Sequence, residues 1–154
     1  MIAIAASSKR QIREFVEDTE IPSRKLVERE NISSQPLILL AEDNEANVLT
    51  ITQYLKAYGY RIVLANNGQE AIEIAKTQRP QLILMDVQMP EMDGLEATRQ
   101  IRQDADIAHI PIIALTSFAM RSDKEQIMAV GVDSYMSKPV SLKELVAEIG
   151  KYIY

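Results

Sequence analysis

Five polar residues stand at the ends of short, strand-like runs. Glu42 and Asp43 follow LILLA (37–41), Asp86 ends LILMD (82–86), Thr116 ends IPIIALT (110–116), and Lys138 follows SYMS (134–137). If those runs are parallel neighbours, three carboxylates, a hydroxyl and an ammonium meet at one edge. Carboxylates gathered so closely repel one another, and a hard divalent cation is the natural remedy. Mg²⁺ suits such a place, because it takes one or two carboxylates and fills its remaining positions with waters and phosphate oxygens. The Thr116 hydroxyl and the Lys138 ammonium can donate to phosphoryl oxygens. Together they describe a phosphate site with a carboxylate nucleophile. Singly, each residue has an ordinary reading: a solvated helix start for the acidic pair, a good strand residue for Thr116, a surface cation for Lys138. The weight lies in all five occupying the corresponding ends of four strands.

The elements that must position them alternate strictly. Strands are expected at 37–41, 60–65, 82–86, 110–116 and 134–137, and helices at 45–59, 67–80, 94–103, 122–131 and 141–153. In the first helix Val48, Ile51, Leu55 and Tyr58 fall on one face, and Gly59 is the stop. Asp93 is placed to cap the third helix, and Ser141 with Glu144 has capping-box spacing at the start of the fifth. Pro90 and Asp93-Gly94 turn the loop after Asp86, and Met89-Pro90 reads as a rigid turn. The first, third and fourth strands are apolar throughout, which points to burial on both faces of a parallel sheet with helices on each side. Parallel strands joined by right-handed crossovers share one C-terminal edge, where open α/β sheets bind their ligands.

The 154 residues suit one domain, with 47% hydrophobic and 25% charged side chains, a net charge of −5 and a pI near 5.0. This mild acidity argues against a nucleic-acid surface. The absence of cysteine excludes disulfides, thiolate metal sites and thiol catalysis. In MIAIAASSKR the positive charges follow the apolar residues, the wrong order for a secretory signal, and no apolar stretch is long enough for membrane insertion, so a cytoplasmic protein is expected. The chain divides near Pro36. Residues 1–35 carry six basic and six acidic side chains and read as a polar linker or N-terminal extension, with a short amphipathic helix around Ile12, Phe15 and Val16 that ends by Pro22. Residues 36–154 form the domain.

At this point the chain resembles a known family, the receiver domain of two-component response regulators. LLAEDN (39–44), LILMDVQMPEMDGLEATRQIR (82–102), PIIALTSFA (111–119) and GVDSYMSKPV (131–140) carry the resemblance, which covers residues 37 to about 153. It implies a flavodoxin-like (βα)5 sandwich with strand order 2-1-3-4-5. It implies that Asp86 accepts a phosphoryl group from a histidine kinase or histidine phosphotransfer protein. Asp43 would be the direct Mg²⁺ ligand, Glu42 would act through water, and the Gln88 carbonyl would complete the protein ligands. Lys138 would pair with a phosphoryl oxygen and Thr116 would move to bond another. Tyr135 would be the aromatic switch that turns inward with Thr116, and Pro139 would follow a cis peptide bond that aims Lys138 into the site. The expected output is a reshaped face made by the fourth helix, fifth strand and fifth helix. That face and the N-terminal segment are the two candidate surfaces for pairing with a second copy.

The wording is closest to receivers of hybrid histidine kinases, though a stand-alone regulator fits as well. The acidic pair is Glu-Asp where the family has Asp-Asp. The only histidine, His109, precedes the fourth strand without an acidic neighbour, so no histidine-kinase core is expected. The sequence runs out just after the fifth helix, so no DNA-binding output domain and no direct DNA binding are expected. Phe118 offers no hydrogen-bonding group at the rim of the site and is expected to slow loss of the phosphoryl group. Two enzyme readings of the same sheet fit less well. An aspartyl phosphohydrolase would want an acid where Gln88 stands, and a flavin carrier would want a phosphate-cradling loop where Glu42 and Asp43 stand.

Overall fold

A computed structural model describes residues 35–117 and 120–153. The candidate helix around Ile12, Phe15 and Val16, and Phe118, lie outside the described residues. Among the described residues five strands, β1 (Leu37–Ala41), β2 (Arg61–Ala65), β3 (Leu82–Asp86), β4 (Ile112–Thr116) and β5 (Ser134–Ser137), alternate with five helices, α1 (Glu45–Ala57), α2 (Gly68–Gln78), α3 (Gly94–Gln103), α4 (Arg121–Ala129) and α5 (Leu142–Ile149). All strand pairs are parallel, and the order is β2-β1-β3-β4-β5. The alternation implied a parallel sheet covered on both faces, and the resemblance implied this flavodoxin-like strand order.

The apolar runs explain the layering. Strand residues alternate between two cores. Leu39, Ala41, Ile83, Met85, Ile112 and Ala114 pack with Ala71, Ile72 and Ala75 of α2, Ala97 and Ile101 of α3, and Ile127 of α4. Ile38, Leu40, Leu82, Leu84, Ile113 and Leu115 pack with Ile51 and Leu55 of α1 and Leu145 and Ile149 of α5. A continuous apolar strand is what a sheet with two covered faces needs, and each fully buried Leu or Ile contributes about 1.5–3 kcal/mol. The edge strands β2 and β5 are only partly buried.

Local signals set most helix ends. Asn44, Asn67, Asp93 and Ser141 cap α1, α2, α3 and α5, each accepting a backbone N–H three residues on. Two expectations differ. Tyr58 is 55% exposed and caps the C-terminus of α1 against its neighbour Tyr54, while Ile51 and Leu55 hold the buried face. α5 stops at Ile149, before Gly150, and the chain beyond it turns so that Ile153 enters the core. Among the described residues no helix is long and apolar enough to cross a membrane.

Candidate functional site

Strand register builds the site. Ala41 lies beside Met85, and Asp86 lies beside Leu115, so the residues just past Ala41 and Leu115 flank Asp86. Those residues are Glu42 and Thr116. Thr116 in turn pairs with Ser137, and Lys138 comes next. The backbone keeps this spacing beyond the strands, because Glu42 N–H donates to Ala65 O (3.0 Å), Val87 N–H to Leu115 O (2.9 Å) and Lys138 N–H to Thr116 O (2.8 Å). Glu42, Asp86 and Thr116 are buried.

The charged groups converge. Lys138 Nζ lies 3.0 Å from Asp86 Oδ2 and 3.1 Å from Glu42 Oε1. Asp86 Oδ1 accepts the Gln88 N–H at 3.1 Å. Glu42 Oε2 accepts from Asn44 N–H (3.3 Å) and Asn47 Nδ2 (3.4 Å), so the first turn of α1 holds this carboxylate in place. Glu42 Oε1, though buried, has no aligned hydrogen bond among the described residues besides its ion pair with Lys138. Asp43 is exposed, and oxygen atoms of Glu42, Asp43 and Asp86 lie within 4.8 Å of one another. The Lys138–Pro139 peptide bond is cis.

Burial pushes the Asp86 carboxyl up and the nearby Glu42 charge adds to it. The Lys138 ammonium and the Gln88 N–H pull it back, and the net value is about 6. Burial draws Lys138 down, but Asp86 and Glu42 outweigh it and hold the ammonium above its usual range. Three carboxylates against one ammonium leave the cluster at a formal −2 when all are ionised. An oxygen-rich, net anionic pocket fits a small hard dication.

The remaining expected residues surround this centre. Gln88 is exposed in the loop after β3, beside a cavity of about 540 Å³ lined by Asp43, Met89, Pro90 and Asp93. Tyr135 is half-buried on the α2–α3–α4 face of the sheet. Its register partner, Ala114, precedes Thr116 by two residues, so Thr116 and Tyr135 share a face on adjacent strands. His109 is exposed in the turn before β4, away from these groups. Two contributors escaped the sequence reading. Asn47 steadies Glu42 from the first turn of α1, and nothing in its sequence position marks it for that role. Gly94 lets α3 start hard against β3, since a Cβ there would overlap the Asp86 carbonyl oxygen. A glycine beside a capping Asp says that a helix begins, but not what it begins against.

Known proteins resemble this chain in sequence and fold. The family model for the response regulator receiver domain matches residues 38–150. The polar-differentiation response regulator DivK of Brucella anthropi is 41% identical over 116 residues, covering 75% of this chain and 94% of that protein. The crystallised receiver domain of a sensor histidine kinase from Pseudomonas aeruginosa, with a magnesium ion coordinated in its active site cleft, is 39% identical, with a TM-score of 0.73 over 77% of this chain and 98% of that one. The Vibrio cholerae chemotaxis protein CheY4 is 26% identical, with a TM-score of 0.72 over 77% of this chain and 99% of that one.

Proposed function

This chain belongs to the family of response regulator receiver domains, the phosphoaccepting modules of two-component signalling, and on that premise we propose that Asp86 takes the phosphoryl group from a histidine kinase or histidine phosphotransfer protein. The observation that carries this reading is the placement of the Asp86 carboxylate, buried at the end of a central strand and within ion-pair reach of Lys138.

An oxygen of Asp86 attacks phosphorus, the P–N bond to the donor imidazole breaks, and its electron pair stays on the departing nitrogen. Lys138 turns from its two carboxylates to a phosphoryl oxygen, and the Thr116 hydroxyl donates to another. Bound Mg²⁺ would be held by Asp43, Asp86, the Gln88 carbonyl and, through water, Glu42, and would offset charge on the phosphoryl oxygens. The rigid β3 backbone and the Gln88 N–H keep the nucleophile aimed. The domain acts as a switch and catalyses only its own phosphorylation and dephosphorylation. Thr116 and Tyr135 draw inward together, and the face of α4, β5 and α5 is the output. Residues 1–35 serve as a linker or extension to the receiver domain at 36–154.

Acetyl phosphate with Mg²⁺, followed by mass spectrometry of borohydride-reduced peptides, tests the assignment. Labelling confined to Asp86 and lost in Asp86→Asn is expected. Labelling that persists undiminished in Asp86→Asn would overturn it.

A further inference from the structure

α4 buries the fewest side chains of the five described helices. Of its residues only Ile127 is buried, whereas α3 buries four. Its N-cap is Met120, which supplies no side-chain hydrogen bond and is 68% exposed. Against this sparse packing, the Lys124 side chain reaches from α4 to the neighbouring edge strand. Lys124 Nζ stands 5.7 Å from the centroid of the Tyr135 ring. Lys124 makes no ion pair among the described residues, while Arg121 on the same helix is paired with Glu125 at 3.6 Å. The ring lies half-buried against the core on the face that carries Ala114 and Thr116.

We propose that Lys124 is a positioning residue: its ammonium holds the Tyr135 ring at the α4 surface by a cation–π contact and opposes the inward movement of that ring. The inference rests on the functional reading above for the meaning of the movement, but not for the contact itself. An ammonium over a ring face is attracted by the ring's quadrupole, and at a partly exposed site the attraction corresponds to about a two- to fivefold bias between ring positions. A ring that turns toward Thr116 leaves the ammonium behind and forfeits that bias. The residue therefore tunes the resting balance of the switch from outside the phosphorylation site, and a change that removes its charge shifts the balance inward.

The test is NMR of ring-labelled tyrosine in the full chain, for the parent, Lys124→Met and Lys124→Arg, without and with beryllofluoride and Mg²⁺. In the unphosphorylated state Lys124→Met should move the Tyr135 ring resonances toward their beryllofluoride-bound positions, raising the inward fraction about two- to fivefold. Lys124→Arg should restore the parent spectrum. In a Tyr135→Leu background, Lys124→Met should leave the α4 amide shifts unchanged beyond the mutated turn. Tyr135 resonances that stay put in Lys124→Met, or the same shift in the Arg and Met variants, would overturn the proposal. Because the decisive comparison is made before any phosphorylation, it stands apart from the labelling of Asp86, whose loss would count against the function alone.

Discussion

The two edges of the sheet treat charge in opposite ways. At the N-terminal edge Arg102, near the end of α3, donates from Nε to Gly131 O (2.7 Å), from Nη1 to Ala108 O and Ile110 O (2.8 Å each), and from Nη2 to Asp133 Oδ2 (2.9 Å). Asp133 Oδ2 also accepts the Ile112 N–H at 2.8 Å. The guanidinium fork is answered within the chain, and it ties two loops, the one before β4 and the one before β5, to the end of α3. At the C-terminal edge Glu42 and Asp86 share the Lys138 ammonium, and the Asp43 carboxylate lies beside them. The first arrangement lowers the energy of the folded chain by itself. The second holds an excess of negative charge around the buried Glu42 and Asp86, and it suits a cation from outside.

Mutations at the two edges should therefore fail differently. The largest effect is expected from Lys138→Met, which removes the only cation paired with Asp86 and Glu42 among the described residues. Labelling of Asp86 by acetyl phosphate should slow about 100-fold, in the range of a lost electrostatic contact to the reacting group, as read by quenched time courses. A rate within about threefold of the parent would place Lys138 outside the reaction. Arg102→Ala should instead cost about 2–4 kcal/mol in urea unfolding, because it strands carbonyls and Asp133, and Arg102→Lys should recover little of it for want of the planar fork. The folded fraction of Arg102→Ala should label at the parent's rate, and a slowed rate would break the separation between the edges. Glu42→Gln should weaken Mg²⁺ binding about tenfold, near 1.4 kcal/mol, in a calorimetric titration. An unchanged affinity would leave Asp43 and Asp86 as the whole of the carboxylate set.

The smallest effect concerns pH. The Asp86 carboxyl stands at about 6 in the folded chain against an ordinary value of 3.8, so it binds its proton more tightly folded than unfolded. Its burden on stability is present above pH 6 and is relieved as pH falls through that value toward the unfolded one. In metal-free buffer, the parent should gain stability relative to Asp86→Asn between about pH 7.5 and about pH 5. A difference that stays flat or moves the other way would show that the Asp86 carboxyl is not raised by folding.

Much of this contrast was legible in the sequence on one edge and little on the other. The functional edge announces itself because it is local: each of Glu42, Asp86, Thr116 and Lys138 directly ends or follows a strand, and parallel topology does the rest. The central strands were legible because burial on two faces leaves no polar position in β1 or β4 before the terminal Thr116, and none in β3 before Asp86. The caps Asp93 and Ser141 were legible because capping is a short-range hydrogen bond. Arg102 was not, since its partners Gly131 and Asp133 lie 29 and 31 residues away and nothing in a basic helix end names them. The contact of Lys124 with Tyr135 is hidden for the same reason. Tyr58 was misplaced because spacing alone counts an aromatic as core, whereas at a helix terminus it can rest on its neighbour Tyr54 in solvent.

The claim that one edge awaits an external cation and phosphoryl group while the other is complete is tested most directly by an amide NMR titration with Mg²⁺, then beryllofluoride. With Mg²⁺ alone, shifts should concentrate at residues 42–44, 86–89, 116 and 138, and Arg102, Gly131 and Asp133 should stay still. Shifts centred on the Arg102 cluster, or none near Asp86 at saturating Mg²⁺, would contradict the account.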